Sequence, residues 1–225
     1  METISSNRPK IVVIGSCNTD MVVKANRLPV PGETILGGTF YMNPGGKGAN
    51  QAIAAARLGA EVTFISKIGY DLFGLQALEI YRSEKINTEF IFTDQKSPSG
   101  VALISVDSFG ENSIIVAPGA SRSLSTEDIN KAEEKIKEAD IILMQLEVPI
   151  DTVEYAATIA NRYGKKVILN PAPASTLSNS FLNNVHTILP NRIEAEMLSG
   201  IKVMDVESAH RAPRPCCRDS RGSAR

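Results

Sequence analysis

Short apolar runs alternate along the first part of the chain with longer stretches in which apolar residues recur every three or four positions. The runs have the length and β-branched content of strands, and the longer stretches have the period of amphipathic helices. The predicted elements are strand Ile11–Gly15, helix Gly48–Leu58, strand Glu61–Ser66 and helix Leu72–Glu84. A strand, helix, strand order is typical of βαβ units and predicts a parallel sheet.

The same order returns in the second half of the chain. Ser125 and Asp128 have the spacing of a capping box, which marks the start of a helix. The predicted elements there are helix Ser125–Glu138, strand Asp140–Leu146, helix Ile150–Tyr163, strand Lys166–Leu169, strand Thr187–Leu189 and helix Ile193–Ser199. Both halves together predict an α/β fold, a three-layer α/β/α sandwich with a mainly parallel sheet.

Two regions interrupt the alternation of strands and helices. Met21–Tyr41 and Phe90–Val116 are rich in β-branched residues, are punctuated by Gly and Pro, and show no helical period. We predict that they form a small antiparallel sheet set apart from the main one, a lid spanning about residues 18–41 and 90–116. Open α/β sheets bind ligands at the carboxyl ends of their strands, where such a lid would cover the ligand.

The end of the chain differs from the rest in composition. All 12 lysines lie at or before Lys202, whereas residues 209–225 hold five arginines, two prolines and two cysteines but no Leu, Ile, Val, Phe or Met. Such a segment cannot bury a core, so residues 209–225 are predicted to be a disordered tail. A frameshifted or artificial terminus would explain the abrupt change, and a basic tail with a role of its own is the alternative.

The overall composition narrows the range of partners. The 225 residues are 43% hydrophobic and carry a net charge of −1, so no basic field attracts nucleic acid or an anionic membrane. No apolar run approaches the ~20 residues of a membrane span, and the first ten residues lack the core of a secretory signal. A cytoplasmic location is therefore expected. Cys17 stands apart from the adjacent Cys216 and Cys217, which is neither a disulfide framework nor zinc spacing.

The densest group of chemically informative residues is Asn43–Gln51, which reads NPGGKGANQ and leads into the first predicted helix. Glycines at a helix N-terminus let a ligand approach the backbone and leave amide donors free. The segment is not a Walker A loop, because Gly48 rather than Ser or Thr follows Lys47, and it lacks the G-x-G-x-x-G spacing. A purely structural turn is the alternative, and the neighbouring Lys47 and Asn50 favour a binding site.

Polar residues also follow two of the predicted strands. Asn18 and Asp20 come after the first strand, and Glu147 follows the strand that ends at Leu146. A carboxylate can accept two hydrogen bonds from a vicinal diol, so Asn18 and Asp20 are candidate contacts for sugar hydroxyls. A local turn or cap that closes the strand is the alternative for each of these groups.

Seven segments together closely resemble the ribokinase and phosphofructokinase-B family of carbohydrate kinases. They are GSCNTD (15–20), NPGGKGANQAIAAARLGA (43–60), GYDLFG (69–74), SGVALISVDSFGENSIIVAPGA (99–120), MQLEVP (144–149), LNPAPA (169–174) and LPNRIEAEMLSG (189–200). The resemblance runs from about residue 11 to about residue 206, and the glycine-rich segment is its most specific part. GSCNTD with NPAPA favours the family's ribose kinases, which implies ATP-dependent phosphorylation of D-ribose to ribose 5-phosphate.

The resemblance also implies roles for individual residues. The family's sugar-binding positions correspond here to Asn18, Asp20, Gly46, Lys47, Gly48, Ala49, Asn50 and Glu147. Asn191 and Glu194 match its Asn-x-x-Glu motif, which positions the nucleotide phosphates and the water shell of Mg²⁺, with no direct metal ligand. ATP and Mg²⁺ are thus the expected cofactors. Arg192 lies where relatives often carry an acidic residue. The family's lid also forms its dimer interface, which implies a homodimer.

One motif of the family is missing from this sequence. Members carry a Gly-Ala-Gly-Asp-type motif near the C-terminus, whose amides form an anion hole and whose Asp is the general base; Asp205 and Asp219 have no such glycine neighbours. The base, the adenine pocket and the site of a monovalent cation such as potassium are therefore expected outside the residues present. Residues 1–208 are expected to form the N-terminal two-thirds of the domain, truncated at its C-terminal end, and to be inactive alone.

Two other functions stay open. The chain could be a non-catalytic fragment that binds a sugar or dimerises, because the base is absent while the glycine-rich segment is present. It could also belong to a kinase for another sugar or nucleoside, such as fructose, adenosine or pseudouridine, because a few hydroxyl contacts decide specificity within one fold.

Overall fold

The computed structural model describes the backbone of residues 8–211 and the side chains of residues 8–208. The strands are β1 (Lys10–Ile14), β2 (Asn18–Lys24), β3 (Thr39–Gly45), β4 (Glu61–Gly69), β5 (Ile91–Asp94), β6 (Gly100–Val106), β7 (Asn112–Ala117), β8 (Ile141–Met144), β9 (Lys166–Leu169) and β10 (Thr187–Ile188). The helices are α1 (Lys47–Arg57), α2 (Leu72–Ser83), α3 (Thr126–Lys131), α4 (Glu133–Glu138), α5 (Ile150–Arg162), α6 (Asn179–Leu182), α7 (Arg192–Ser199) and α8 (Val206–Arg211), with a 3₁₀ turn at Gly119–Ser123.

Six parallel strands form the main sheet, in the order β10-β9-β8-β1-β4-β5. β1 lies between β4 and β8, and its residues Val12, Val13 and Ile14 are 2% exposed or less. A central parallel strand is covered on both faces, which explains why this part of the sequence is continuously apolar and does not alternate. Because all six strands run parallel, their carboxyl ends lie along one edge of the sheet.

Helices cover both faces of the main sheet. Alternate residues of β1 point to opposite faces. Val12 and Ile14 pack in one core cluster with residues of α3, α4 and α5 such as Ile129 and Val153. Val13 packs in a second cluster with residues of α1 and α2. These two cores on either side of one sheet confirm the predicted three-layer α/β/α sandwich.

The lid is a separate four-stranded sheet in the order β3-β2-β6-β7. The prediction of an antiparallel lid was only partly right. β2 pairs antiparallel with β3, and β6 with β7, but β2 and β6 are parallel to each other. The reason is that β2 and β6 both leave the main body at the same place, where Asn18 is paired with Gly100, and run outward in the same direction. The lid is therefore a mixed sheet.

One strand that was predicted to belong to the lid lies in the main sheet instead. Ile91–Asp94 falls within the predicted lid segment 90–116, but it pairs parallel with Ser66–Gly69 as the edge strand β5. Its β-branched and aromatic residues suit either sheet. The crossover through α2 determines the outcome, because a strand that follows a helix of this kind returns parallel to the strand before it.

Other differences from the predicted elements are small. The helix predicted at Ser125–Glu138 begins after the capping box at Ser125 but is divided into α3 and α4 at Ala132. The short helices α6 and α8 and the 3₁₀ turn were not predicted. The tail predicted to be disordered, residues 209–225, lies almost wholly outside the described residues. Among the helices of residues 8–211, none has the length and apolar character needed to cross a membrane.

Candidate functional site

The carboxylate of Glu147 joins the ends of two strands to the start of α1. Glu147 follows β8, and Ser16 follows β1, the neighbouring strand. Ser16 Oγ donates a hydrogen bond of 2.5 Å to Glu147 Oε2, and the backbone amide of Lys47 donates one of 2.9 Å to the same oxygen. Lys47 Nζ lies 3.3 Å from Glu147 Oε1. A carboxylate has about four acceptor positions, so three donors fix its orientation and leave capacity for a ligand.

The glycine-rich segment packs directly on the end of β1. Gly46 has a φ of +91°, which favours glycine, and a Cβ on Gly48 would overlap the backbone of Gly15 and Ser16. The Ala49 amide donates to the Ser16 carbonyl at 3.0 Å. The prediction that the amides of this helix N-terminus are free was wrong for Lys47, Gly48 and Ala49, because Glu147 and Ser16 accept from them. The glycines serve close backbone packing.

Asn18 and Asp20 lie at the root of the lid, on the same face of β2, because alternate residues of a strand share a face. A glycine lies under each of their side chains: a Cβ on Gly45 would overlap the Asp20 carboxylate, and one on Gly100 would overlap Asn18 Oδ1. Asn18 is 5% exposed, and its Oδ1 has no hydrogen-bond partner among the described residues. A buried unpaired acceptor is costly in a folded protein unless a ligand or water satisfies it.

Charge interactions show that Asp20, Lys47 and Glu147 lie near one another. Burial raises the pKa of Asp20 above its ordinary value, the negative charge of Glu147 raises it further, and the positive charge of Lys47 opposes both. The structure thus brings residues from β2, the start of α1 and the end of β8 to one place. Two carboxylates near one ammonium group can accept several hydrogen bonds from a polar ligand.

A cleft of about 320 Å³ lies between the lid and the edge of the main sheet. It is lined by Ser16, Asn18, Val116, Pro118, Arg122, Leu146, Glu147 and Pro173. Its volume is at the lower end of the range of about 300–1,000 Å³ for small-molecule sites. A second cleft of about 370 Å³ lies beside α1 and is lined mainly by apolar residues, including Ile11, Leu143 and Ile168, but by none of the predicted site residues. The first cleft is therefore the candidate functional site.

Three other predicted sugar contacts differ in their exposure. Gly48 and Ala49 are buried, and Ala49 is 0% exposed, so both act by placing α1 against β1. Asn50 is exposed on the first turn of α1.

Cys17 in the GSCNTD segment is 2% exposed and its Sγ lies 2.9 Å from Tyr81 Oη. Burial raises the pKa of the Cys17 thiol to about 11, so this cysteine is part of the core rather than a nucleophile.

The Asn191 and Glu194 pair lies at the start of α7, three strands away from β1 in the sheet order. The two residues form a capping box: Glu194 Oε2 accepts from the Asn191 amide at 2.8 Å, Oε1 accepts from Asn191 Nδ2 at 2.8 Å, and Asn191 Oδ1 accepts from the Glu194 amide at 2.9 Å. Glu194 is 5% exposed. Neither residue is among those that line the cleft described above. Both carboxylate oxygens of Glu194 already accept hydrogen bonds.

Sequence reasoning missed several residues that shape the site. Ser16 bridges β1 to Glu147, and Gly45 and Gly100 accommodate the side chains of Asp20 and Asn18. Gln145 is 0% exposed, donates to Gln51 Oε1 at 2.5 Å, and leaves its own Oε1 unpaired among the described residues. A polar residue at the end of the apolar strand β8 was a signal for Gln145. Both glycines lie in segments that carry the family resemblance, but no local pattern indicates which side chain each one accommodates.

Comparison with known proteins gives a consistent result. A model of the pfkB family of carbohydrate kinases matches residues 8–214. Ribokinase from Haemophilus influenzae is 45% identical over 205 residues, which cover 91% of this chain and 67% of that protein. Deoxyribokinase from Salmonella typhimurium is 40% identical over 194 residues, which cover 86% of this chain and 63% of that protein. The chain thus spans about two-thirds of the length of these relatives.

Solved structures agree with the sequence relatives. The structure of Arabidopsis thaliana ribokinase complexed with ribose and ATP has a TM-score of 0.80 and 31% sequence identity, and the match covers 91% of this chain and 67% of that one. The α/β fold with its lid is therefore shared with ribokinase structures. The match of the family model to residues 8–214, together with these identities, shows that the chain belongs to the pfkB family of carbohydrate kinases.

Proposed function

We propose that this chain forms the sugar-binding part of a ribokinase, which transfers the terminal phosphate of ATP to D-ribose and produces ribose 5-phosphate. The observation that carries the proposal is a group of polar side chains at one cleft: Asn18 and Glu147 line it, and the carboxylate of Asp20 lies close enough to Glu147 to interact with its charge. A ligand with several hydroxyl donors suits such a set. The names of the Haemophilus and Arabidopsis relatives support ribose as that ligand.

The residues of this chain would bind and orient the sugar. Asp20 accepts from adjacent hydroxyls, and the amide group of Asn18 contacts another. Lys47 donates to a sugar oxygen while Glu147 holds its ammonium group in place. Val116 of the lid contributes an apolar wall that helps to exclude water. Such positioning is a large part of what a phosphoryl-transfer enzyme provides.

ATP and Mg²⁺ belong to the proposed function of the complete enzyme. Asn191 and Glu194 remain the proposed nucleotide-side residues, and Mg²⁺ would neutralise phosphate charge. Within the side chains of residues 8–208, no cluster of three or more His, Cys, Asp or Glu could hold a metal ion, and both Glu194 oxygens are engaged in the capping box. The described residues thus fit a contact through water better than direct ligation. A potassium site and a cytoplasmic location remain predictions from the sequence.

A 2-deoxysugar is the second candidate substrate, because the deoxyribokinase relative is 40% identical. Titration calorimetry of this chain with D-ribose, 2-deoxyribose and fructose tests the choice. Ribose is expected to bind about tenfold more tightly than 2-deoxyribose, because loss of one hydroxyl leaves a buried acceptor unpaired. Equal or tighter binding of 2-deoxyribose would favour a deoxyribose kinase, and no binding of any of the three sugars would contradict the sugar site. A non-catalytic sugar-binding or dimerising fragment is the remaining alternative.

We also propose that the lid mediates a homodimer. Its face opposite Asn18 and Asp20 carries Phe40, Leu103 and Ile115, which are 58%, 54% and 69% exposed and share that face by strand register. An exposed apolar patch of this kind is typical of an interaction surface. Leu103→Asp is therefore expected to convert a dimer to a monomer in sedimentation velocity, with Lys96→Asp, a change in an exposed loop, as the control. A wild-type chain that sediments as a monomer at micromolar concentration would contradict the proposal.

A further inference from the structure

Three loops meet at the root of the lid around the side chain of Asp71. Ser99 donates two hydrogen bonds to the Asp71 carboxylate, from its backbone amide to Oδ2 at 2.7 Å and from its hydroxyl to Oδ1 at 2.7 Å. The Gly74 amide donates to Oδ1 at 2.9 Å, and the Gly69 amide donates to Ser99 Oγ at 3.0 Å. The loop that starts α2 is thus tied to the residue that immediately precedes β6.

The backbone around these hydrogen bonds is closely packed. A Cβ on Gly69 would overlap the backbone of Pro98 and Ser99, and one on Gly119 would overlap the backbone of the same segment. The Ala120 amide also donates to the Pro98 carbonyl at 2.7 Å. Ser99 is 6% exposed. The position of Ser99 relative to the main sheet is therefore determined by contacts from both neighbouring loops.

Ser99 leads directly to the candidate sugar site. The next residue, Gly100, is the register partner of Asn18, and a Cβ on Gly100 would overlap Asn18 Oδ1. Two residues further along β6, Ala102 is the register partner of Asp20. A shift of the start of β6 would therefore move the surface on which the Asn18 side chain rests and the strand beside Asp20.

The charge state of Asp71 suits this role. Burial alone would raise the pKa of Asp71, but the hydrogen bonds from Ser99 and Gly74 outweigh burial and leave the pKa below its ordinary value. The carboxylate is ionised at neutral pH and can accept from all its donors at once. Hydrogen bonds to an ionised group are stronger than those between neutral groups, so this contact is well suited to hold two segments together.

We propose that Asp71 is a positioning residue, which fixes the start of lid strand β6 through Ser99 and thereby sets the geometry of Asn18 and Asp20 for a sugar. This role concerns the same sugar site and rests on the proposed function for the identity of the ligand. Asp71 does not touch the cleft, and its effect on binding passes through the lid.

Asp71→Asn tests the proposal with little other disturbance. Asparagine is as good an N-cap as aspartate, so the bond from Gly74 and the start of α2 are retained. It has only one acceptor oxygen, so at least one of the bonds from Ser99 is lost. We expect the Kd for D-ribose to rise about tenfold at pH 7.5 by calorimetry, and amides of residues 18–21 and 100–103 to exchange about fivefold faster. Ser99→Ala keeps the backbone donor but removes the hydroxyl that links the Gly69 amide to Asp71, so a change of the same kind is expected.

Ser178→Ala is the matched control. Ser178 caps α6 between β9 and β10, where its Oγ accepts from the Phe181 amide at 3.0 Å, and its loss should lower stability without altering ribose affinity or lid exchange. If Asp71→Asn changes only stability, as Ser178→Ala does, the proposal is overturned. If the wild-type chain binds no ribose, the proposed sugar function fails. The exchange comparison then still decides whether Asp71 holds the lid.

Discussion

No ribose-dependent ADP formation above background is expected from the 225-residue chain, even with Mg²⁺ and potassium present. Phosphoryl transfer to a sugar needs a base near the acceptor hydroxyl and donors fixed around the moving phosphate. The family resemblance implies that a Gly-Ala-Gly-Asp-type motif supplies both, and our prediction is that this motif is not among these residues. A positioned base contributes about 10²–10⁴-fold and one anion-hole donor about 10²–10³-fold, so their joint absence should remove several powers of ten in rate.

A coupled ADP assay on folded protein, with and without ribose, checks this expectation. Haemophilus influenzae ribokinase, of which this chain covers 67%, provides the positive control under the same conditions. Calorimetric binding of ribose to the same preparation shows that its sugar site is intact. Turnover near one per second, within the usual range of enzymes, would mean that the base lies among the residues present. The alignment of the last part of the chain would then be wrong.

The parts of the fold that depend on local pattern were predictable, and those that depend on distant partners were not. The continuous apolar run of β1 and the helical period of α1 and α2 identified the three-layer sandwich, because burial on both faces and on one face leave different patterns. The mixed lid and the place of β5 depend on which strands meet in space. A stretch such as Ile91–Asp94 suits either sheet, so composition could not decide between them.

The candidate site shows the same division. Asn18, Asp20 and Glu147 follow apolar strands, and a position at the carboxyl end of a strand indicates a ligand site in this class of fold. The contacts that give the site its shape cross 28 to 131 positions of sequence, as for Ser99 with Asp71 and Ser16 with Glu147. No local sequence pattern indicates contacts between residues that are so far apart in the chain. The prediction of free amides at the start of α1 failed for the same reason. The acceptor for the Lys47 amide, Glu147, is 100 positions away, and the acceptor for the Gly48 amide, Ser16, is 32 positions away.

Asp20→Asn is expected to weaken D-ribose binding about 10- to 100-fold, because loss of one charged acceptor in a partly desolvated site costs about 1–3 kcal/mol. Glu61→Gln, which alters an exposed residue at the start of β4, is the control and should leave the Kd unchanged. Gly45→Ala gives an independent variant. It keeps the carboxylate but places a methyl group where the Asp20 side chain now lies, so a comparable loss is expected.

The pH dependence separates the role of Asp20 from a general loss of structure. Burial and then Glu147 raise the pKa of Asp20, so its carboxylate takes up a proton at a higher pH than an ordinary aspartate. Protonation removes acceptor capacity, and the affinity of the wild-type chain for ribose should therefore fall as the pH drops through that pKa. Asp20→Asn has no group to titrate at this position and should lack that part of the decrease. Calorimetry between pH 7.5 and the lowest pH at which circular dichroism shows folded protein measures both curves. Equal affinities for Asp20→Asn and Glu61→Gln at pH 7.5, or parallel pH curves for the wild type and Asp20→Asn, would refute the assigned role.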